Sequence, residues 1–159
     1  MPMTNKQSGF TLIEVLVAIV VLSLGLLGLA GLQAASLRNN QAAYYRGIAT
    51  QQAYDMADRM RANLAGVSAG NYNNITATIP ADPGCFSSGC TAANMAITDH
   101  FQWNTANAAL LPNGVGSVAC TAGAACAAGG DWSFDITVSW TERSEAGNAT
   151  QSFVTRVSP

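Results

Sequence analysis

Between Phe10 and Leu32 the chain is apolar and carries a single charge, Glu14, close to its start. That run is long enough to cross a bilayer as a helix, which takes about 20 apolar residues. It limits the fold first of all: one end must enter a membrane or be covered by other chains. A carboxylate at mid-bilayer costs about 2.5–3.5 kcal/mol on insertion scales, and charges within such spans usually mark function. Glu14 sits near one end, where the cost is smaller, but it still calls for a partner. A secretory signal peptide ending at Leu32-Gln33-Ala34 fits poorly, because its apolar core is shorter and has no acid at its start. An unprocessed signal anchor explains the span and leaves Glu14 without a role.

Around the acid the sequence reads Lys6-Gln7-Ser8-Gly9-Phe10-Thr11-Leu12-Ile13-Glu14. A short leader with a basic residue, a glycine, an aromatic, three uncharged residues and a glutamate resembles the processing site of type IV pilin-like proteins. The resemblance implies a leader of residues 1–9 that a prepilin peptidase removes between Gly9 and Phe10. It further implies N-methylation of Phe10 and pairing of Glu14 with a neighbouring subunit's amino terminus. It names as partners the peptidase, other minor pilins, the major pilin and inner-membrane lipid.

The helical pattern continues past Leu32. Tyr45, Ala49, Ala53, Met56, Met60 and Leu64 recur at spacings of three and four, one face of a helix. Asp55 with Arg59, and Asp58 with Arg61, stand at spacings that favour ion pairs on a helix surface. With no proline from Phe10 to Leu64, a continuous helix would run roughly 80 Å, ending at Gly66, Gly70 and Asn71. Residues 10–32 thus form a transmembrane or assembly segment and 33–65 its amphipathic continuation. Gly25, Gly28 and Gly31 each weaken a helix by about 1 kcal/mol relative to alanine. They read either as close-packing positions between helices or as a soft stretch that unwinds during assembly.

Residues 66–159 form the globular part. Gly66 to Gly89 is rich in glycine, alanine, asparagine, serine, threonine and proline and reads as loop. A second helix is expected over Thr91–Leu111, with Ala93, Ile97, Phe101, Ala108 and Leu111 inward and Pro112 and Gly114 ending it. Val115–Cys120 reads as a short strand. Trp132, Phe134, Ile136, Val138 and Trp140 alternate with polar residues, a half-buried strand. A turn over Glu142–Thr150 precedes a last strand over Ser152–Val157. The fold class is α+β: a small antiparallel sheet packed on the lower half of a long amino-terminal helix.

The run Asp55-Met56-Ala57-Asp58-Arg59-Met60-Arg61-Ala62-Asn63 resembles the type IV pilus modification proteins, minor pilins of the V type. Pro83-Gly84-Cys85, Cys90, Leu111-Pro112-Asn113-Gly114 and the Trp132–Trp140 strand agree with it.

Cys85, Cys90, Cys120 and Cys126 are even in number and lack histidines at zinc spacing, which favours disulfides in an oxidising compartment. Proximity along the chain favours Cys85–Cys90 and Cys120–Cys126; the cross-pairings would instead tie the two loops together. Arg38 and Arg46 after the apolar run against Lys6 before it would by themselves place the carboxyl-terminal part in the cytoplasm. The cysteines and the resemblance place it in the periplasm, anchored by one span in the inner membrane.

Charge is low, 10% of residues, with a net charge of −2. No basic patch for nucleic acid is visible. His100 is the one histidine, and no nucleophile elbow, phosphate loop or metal-spaced set appears. Ser87-Ser88 reads as a turn. Trp103, Trp132 and Trp140 read as core more readily than as a ligand patch. A non-enzyme with no cofactor or metal is the expectation: a minor pilin in pilus assembly or initiation, twitching motility or adhesion. A minor pseudopilin of a type II secretion system shares the leader, Glu14 and the long helix. A membrane-anchored ligand-binding protein that never assembles would lack processing at Gly9–Phe10.

Overall fold

The computed structural model describes residues 9–85, 89–121, 126, 132–144 and 147–159. They fall into two compact units, divided between Gln41 and Ala42.

Helix α1 runs Leu12–Ala62. In the first unit every large apolar side chain from Phe10 to Leu37 is at least half exposed. By length and composition this helix can cross a membrane.

In the second unit α1 buries Ala49, Gln52, Ala53, Met56, Ala57 and Met60. Tyr45 packs half-buried against this core. Leu64 departs from the expected face and is 47% exposed, because the helix ends sooner than the glycines suggest. Asn63, at φ −123° and ψ 54°, leaves helical geometry and caps a second short helix, α2 (Leu64–Ser68), its side chain accepting from Gly66 N. Its Nδ2 also donates to Ala92 O at 2.8 Å. Gly66 has no room for a side chain, since a Cβ would lie 2.5 Å from Asn63 Nδ2. The stretch expected to be loop therefore contains α2 and a two-residue strand, β1 (Asn74–Ile75).

Helix α3 (Ala92–Leu110) starts on Thr91, whose side chain accepts from Asn94 N, and ends on Leu111. Its extent matches expectation but its inner face does not. Ala93, Ile97 and Ala108 are exposed and Phe101 is half-buried, whereas Ala96, Thr98, Asp99, Trp103, Asn104 and Asn107 are buried. Leu111 alone of the expected set is fully inside. Thr98, Asp99 and Asn104 turn inward because each finds a partner there. Asn104 accepts from Gly116 N at 2.6 Å and donates to Gly116 O and Thr76 O at 3.1 Å. A buried polar group with its bonds made costs little, so apolar count alone cannot orient such a helix.

The sheet is antiparallel in the order β1-β2-β3-β4. Strand β2 covers Val115–Cys120, β3 Phe134–Ser144 and β4 Gly147–Val157. Ile75 faces Val118, Val118 faces Ile136, and Ile136 faces Thr155. Val118, Phe134, Ile136, Val138, Trp140 and Val157 form the inner face against Ala49, Ala53, Met56 and Met60. Burying each large apolar side chain contributes about 1.5–3 kcal/mol. The expected turn over Glu142–Thr150 is instead mostly strand: β3 reaches Ser144, β4 begins at Gly147, and these two residues face each other. Cys85 is joined to Cys90 and Cys120 to Cys126.

Candidate functional site

In the first unit Gly9 and Phe10 precede α1 outside regular structure. Thr11 stands where a cap is needed. Its N and Oγ1 both lie 3.4 Å from Glu14 Oε2, and Glu14 N donates to Thr11 Oγ1 at 3.4 Å. This is a reciprocal capping box, in which a threonine and the glutamate three residues on satisfy each other's backbone N–H groups. At 3.4 Å the bonds are long and weak. Glu14 also lies in the first turn of α1, where an acid interacts favourably with the helix dipole by about 0.3–1 kcal/mol. The Thr-x-x-Glu spacing that makes this cap is present in the sequence, beside the charge of Glu14. Beside it runs a groove lined by Phe10, Glu14, Val15, Ala18, Ile19 and Leu22. An apolar trough with one carboxylate suits an apolar segment that carries a cation.

Gly25, Gly28 and Gly31 lie within α1, and a Cβ on any of them would meet nothing within 4 Å. Among the described residues no contact requires glycine there.

In the second unit the run Asp55–Asn63 builds a partly buried polar network. Arg59 bonds Asp55 Oδ2 at 2.8 Å, Asp99 Oδ1 at 3.3 Å and Gln102 Oε1 at 3.0 Å. Tyr72, fully buried, donates to Asp99 Oδ2 at 2.5 Å and accepts from Asn63 Nδ2 at 3.0 Å. Burial works against the Arg59 charge, yet Asp55 and Asp99 offset it and hold its pKa above the ordinary value. Burial, and next the bond to Asp99, push the Tyr72 phenol up. Asp58 and Arg61 pair at 2.7 Å on the exposed side, where such pairs contribute little. This stretch is therefore explained by packing: it fastens α1 to α3 and to the segment carrying Tyr72.

His100 Nε2 sits 2.7 Å from Thr76 O. Burial lowers its pKa, against the opposing bond to Thr76. Its neighbour Asp99 is directed to Arg59 and Tyr72, so the two do not form an acid–base pair. Trp103 donates to Gln52 O at 2.8 Å; it and Trp140 are core residues, and Trp132 packs partly buried against the core. Ser87 and Ser88 lie outside the described residues, as does Lys6. Among the described residues no three histidine, cysteine, aspartate or glutamate side chains come together as a metal site would require.

Comparison with curated proteins and with solved structures gave no match. The family model described as the prokaryotic N-terminal methylation motif does match, over residues 4–30, and this supports a type IV pilin-like leader and membrane-capable helix at the amino terminus, a leader that implies processing by a prepilin peptidase and assembly with other pilins.

Proposed function

We propose that this chain is a minor pilin, of the V-type modification class, that takes part in assembly or initiation of a type IV pilus and so in twitching motility or adhesion. The observation that carries the reading is Gly9-Phe10 at fixed spacing from Glu14, ahead of the exposed apolar half of α1. In this reading the peptidase cuts between Gly9 and Phe10, and Phe10 becomes the methylated first residue. The chain is held in the inner membrane by one span, with the disulfide-bonded second unit in the periplasm. Its role is structural rather than enzymatic.

Glu14 then changes partners. In the free subunit it is held by Thr11 through long bonds that are readily exchanged. A neighbour's amino group placed 4 Å from the carboxylate is worth about 1 kcal/mol in water and about 4 kcal/mol at the lower effective dielectric of a protein surface. That gain sets the axial register as a subunit leaves the bilayer. Gly25, Gly28 and Gly31 serve the same step, by close packing or by softening the helix.

The test is Glu14→Ala beside Glu14→Gln in a deletion strain. Both are expected to be cleaved at Gly9–Phe10 and to stay inserted, and both to lower pilus number and twitching. Glutamine keeps the capping oxygen and loses the ion pair, so it separates charge from cap. Full complementation by Glu14→Ala would refute the register role. A strain that keeps its pili and loses protein export would instead assign the chain to a secretion system.

A further inference from the structure

The two disulfides close loops of nearly the same length, with sequence separations of 5 for Cys85–Cys90 and 6 for Cys120–Cys126. Loop-closure entropy therefore treats them alike. Access treats them alike too, since each bond joins a buried cysteine, Cys85 or Cys126, to a half-buried one, Cys90 or Cys120. A thiolate arriving from solvent attacks the half-buried partner and expels the buried one. What separates the two bonds is the surroundings of the expelled sulfur.

Cys85 Sγ accepts a hydrogen bond from Thr98 Oγ1 at 2.9 Å. Thr98 is 1% exposed and lies on α3, where a threonine hydroxyl commonly turns back to the carbonyl four residues earlier, as Thr105 does to Phe101 O. The Thr98 hydroxyl is aimed at the sulfur instead. A neutral cysteine sulfur is a weak acceptor, whereas a hydrogen bond to an ionised acceptor is about twice as strong as a neutral one. The donor thus does little for the closed disulfide and much more for the thiolate that opening leaves on Cys85. Cys90 directly precedes Thr91, the N-cap of α3, where the helix dipole also favours negative charge.

Cys126 is placed the other way. It is fully buried in the apolar core, with Cys120 packed against it, while Cys85 lies outside that cluster. Ser133 O lies 3.5 Å from Cys126 Sγ. A thiolate there would lose its water and face a carbonyl oxygen, which is costly.

We propose that Cys85–Cys90 is a reversible exchange site for a protein dithiol, and that Cys120–Cys126 is a fixed staple. The partner's thiolate attacks Cys90 Sγ and forms a mixed disulfide. The Cys85–Cys90 bond breaks, and its electron pair leaves on Cys85 Sγ beside the Thr98 hydroxyl. A leaving thiolate that is better stabilised departs faster. The partner's second thiolate then attacks the partner's own sulfur in the mixed disulfide and releases Cys90. The partner ends as a disulfide, the cysteine pair has gained two electrons, and protons lost by the partner's thiols balance those the two cysteines take up. Opening unlinks the segment ending at Cys85 from the start of α3. The proposal rests on the second unit alone and does not depend on the amino-terminal reading.

The test equilibrates the full chain in detergent with dithiothreitol at graded ratios of reduced to oxidised form, then alkylates it and maps the cysteines by mass spectrometry. Cys85–Cys90 is expected to open at a ratio at least about tenfold below that needed for Cys120–Cys126. Thr98→Val keeps the side chain's shape and should raise the ratio for Cys85–Cys90 by about tenfold, the worth of one bond to a charged group; Thr98→Ser should leave it near wild type. A thioredoxin whose second active-site cysteine is replaced should be trapped as a mixed disulfide on Cys90. Both pairs opening together, or Cys120–Cys126 opening first, would overturn the proposal. So would a folded Thr98→Val chain that titrates like wild type, or a probe trapped on another cysteine or on none. If Thr98→Val does not fold, the order of opening in wild type and the trapped residue still decide the matter.

Discussion

Replacing Tyr72 with phenylalanine removes one oxygen from the buried network and leaves the ring in place. That oxygen donates to Asp99 Oδ2 at 2.5 Å, and Asp99 is only 6% exposed, so no water replaces it freely. A hydrogen bond to a charged group contributes about 1.5–3 kcal/mol. Asp99 keeps Arg59 at 3.3 Å, and Asn63 Nδ2 keeps Ala92 O, so neither is orphaned. The expected cost is about 2 kcal/mol, a large part of a typical stability of about 5–15 kcal/mol. For a unit of this size that corresponds to a fall in Tm of roughly 6–10 °C. Urea unfolding of the detergent-solubilised chain, followed by tryptophan fluorescence, should show a lower midpoint with an unchanged slope. The buried indoles of Trp103 and Trp140 report the transition. A loss below about 0.5 kcal/mol, the range of an ordinary surface change, would refute the idea that Tyr72, Asp99 and Arg59 fasten α3 to α1.

Gly116→Ala should also destabilise, by about 1–3 kcal/mol for overpacking, since the new Cβ would collide with the Trp103 indole and lie 2.7 Å from Asn107 Nδ2; an unmoved urea midpoint would contradict the packing described. His100 should make stability fall in mild acid. Its folded pKa is lowered by burial, so the unfolded chain takes the proton first; stability is full above about pH 6.5 and declines as pH drops through that value. Thermal scans between about pH 7 and pH 5.5 should show the decline, and His100→Gln should flatten it. Asp135, lowered by its bond to Arg156, acts only in the carboxylate range and does not confuse the result.

Elements marked by strong local signals were readable in the chain: Val115–Cys120, the alternation through Trp140, the span of α3, and both disulfides. Local chemistry fixes each of them, whether a cap at Thr91, a period of two, or cysteines a few residues apart. What escaped depends on distant partners. Asp99 and Asn104 look like solvent residues until Arg59, Tyr72 and Gly116 are brought to them, and Ile97 looks like core until the polar face wins. Strand β1 is two residues long and exists because β2 is beside it. At the candidate site the spacing of glycine, aromatic and glutamate is a feature of the sequence, and the structure adds the cap from Thr11 to Glu14.

The central claim is that this chain carries a processed pilin-like amino terminus. Mass spectrometry of the amino-terminal peptide, from protein recovered from its native host, tests it most directly. The expected peptide begins at Phe10 and carries one added methyl group. A peptide that begins upstream of Gly9, or begins after Leu32 as a secretory signal cleavage would leave it, would contradict the account.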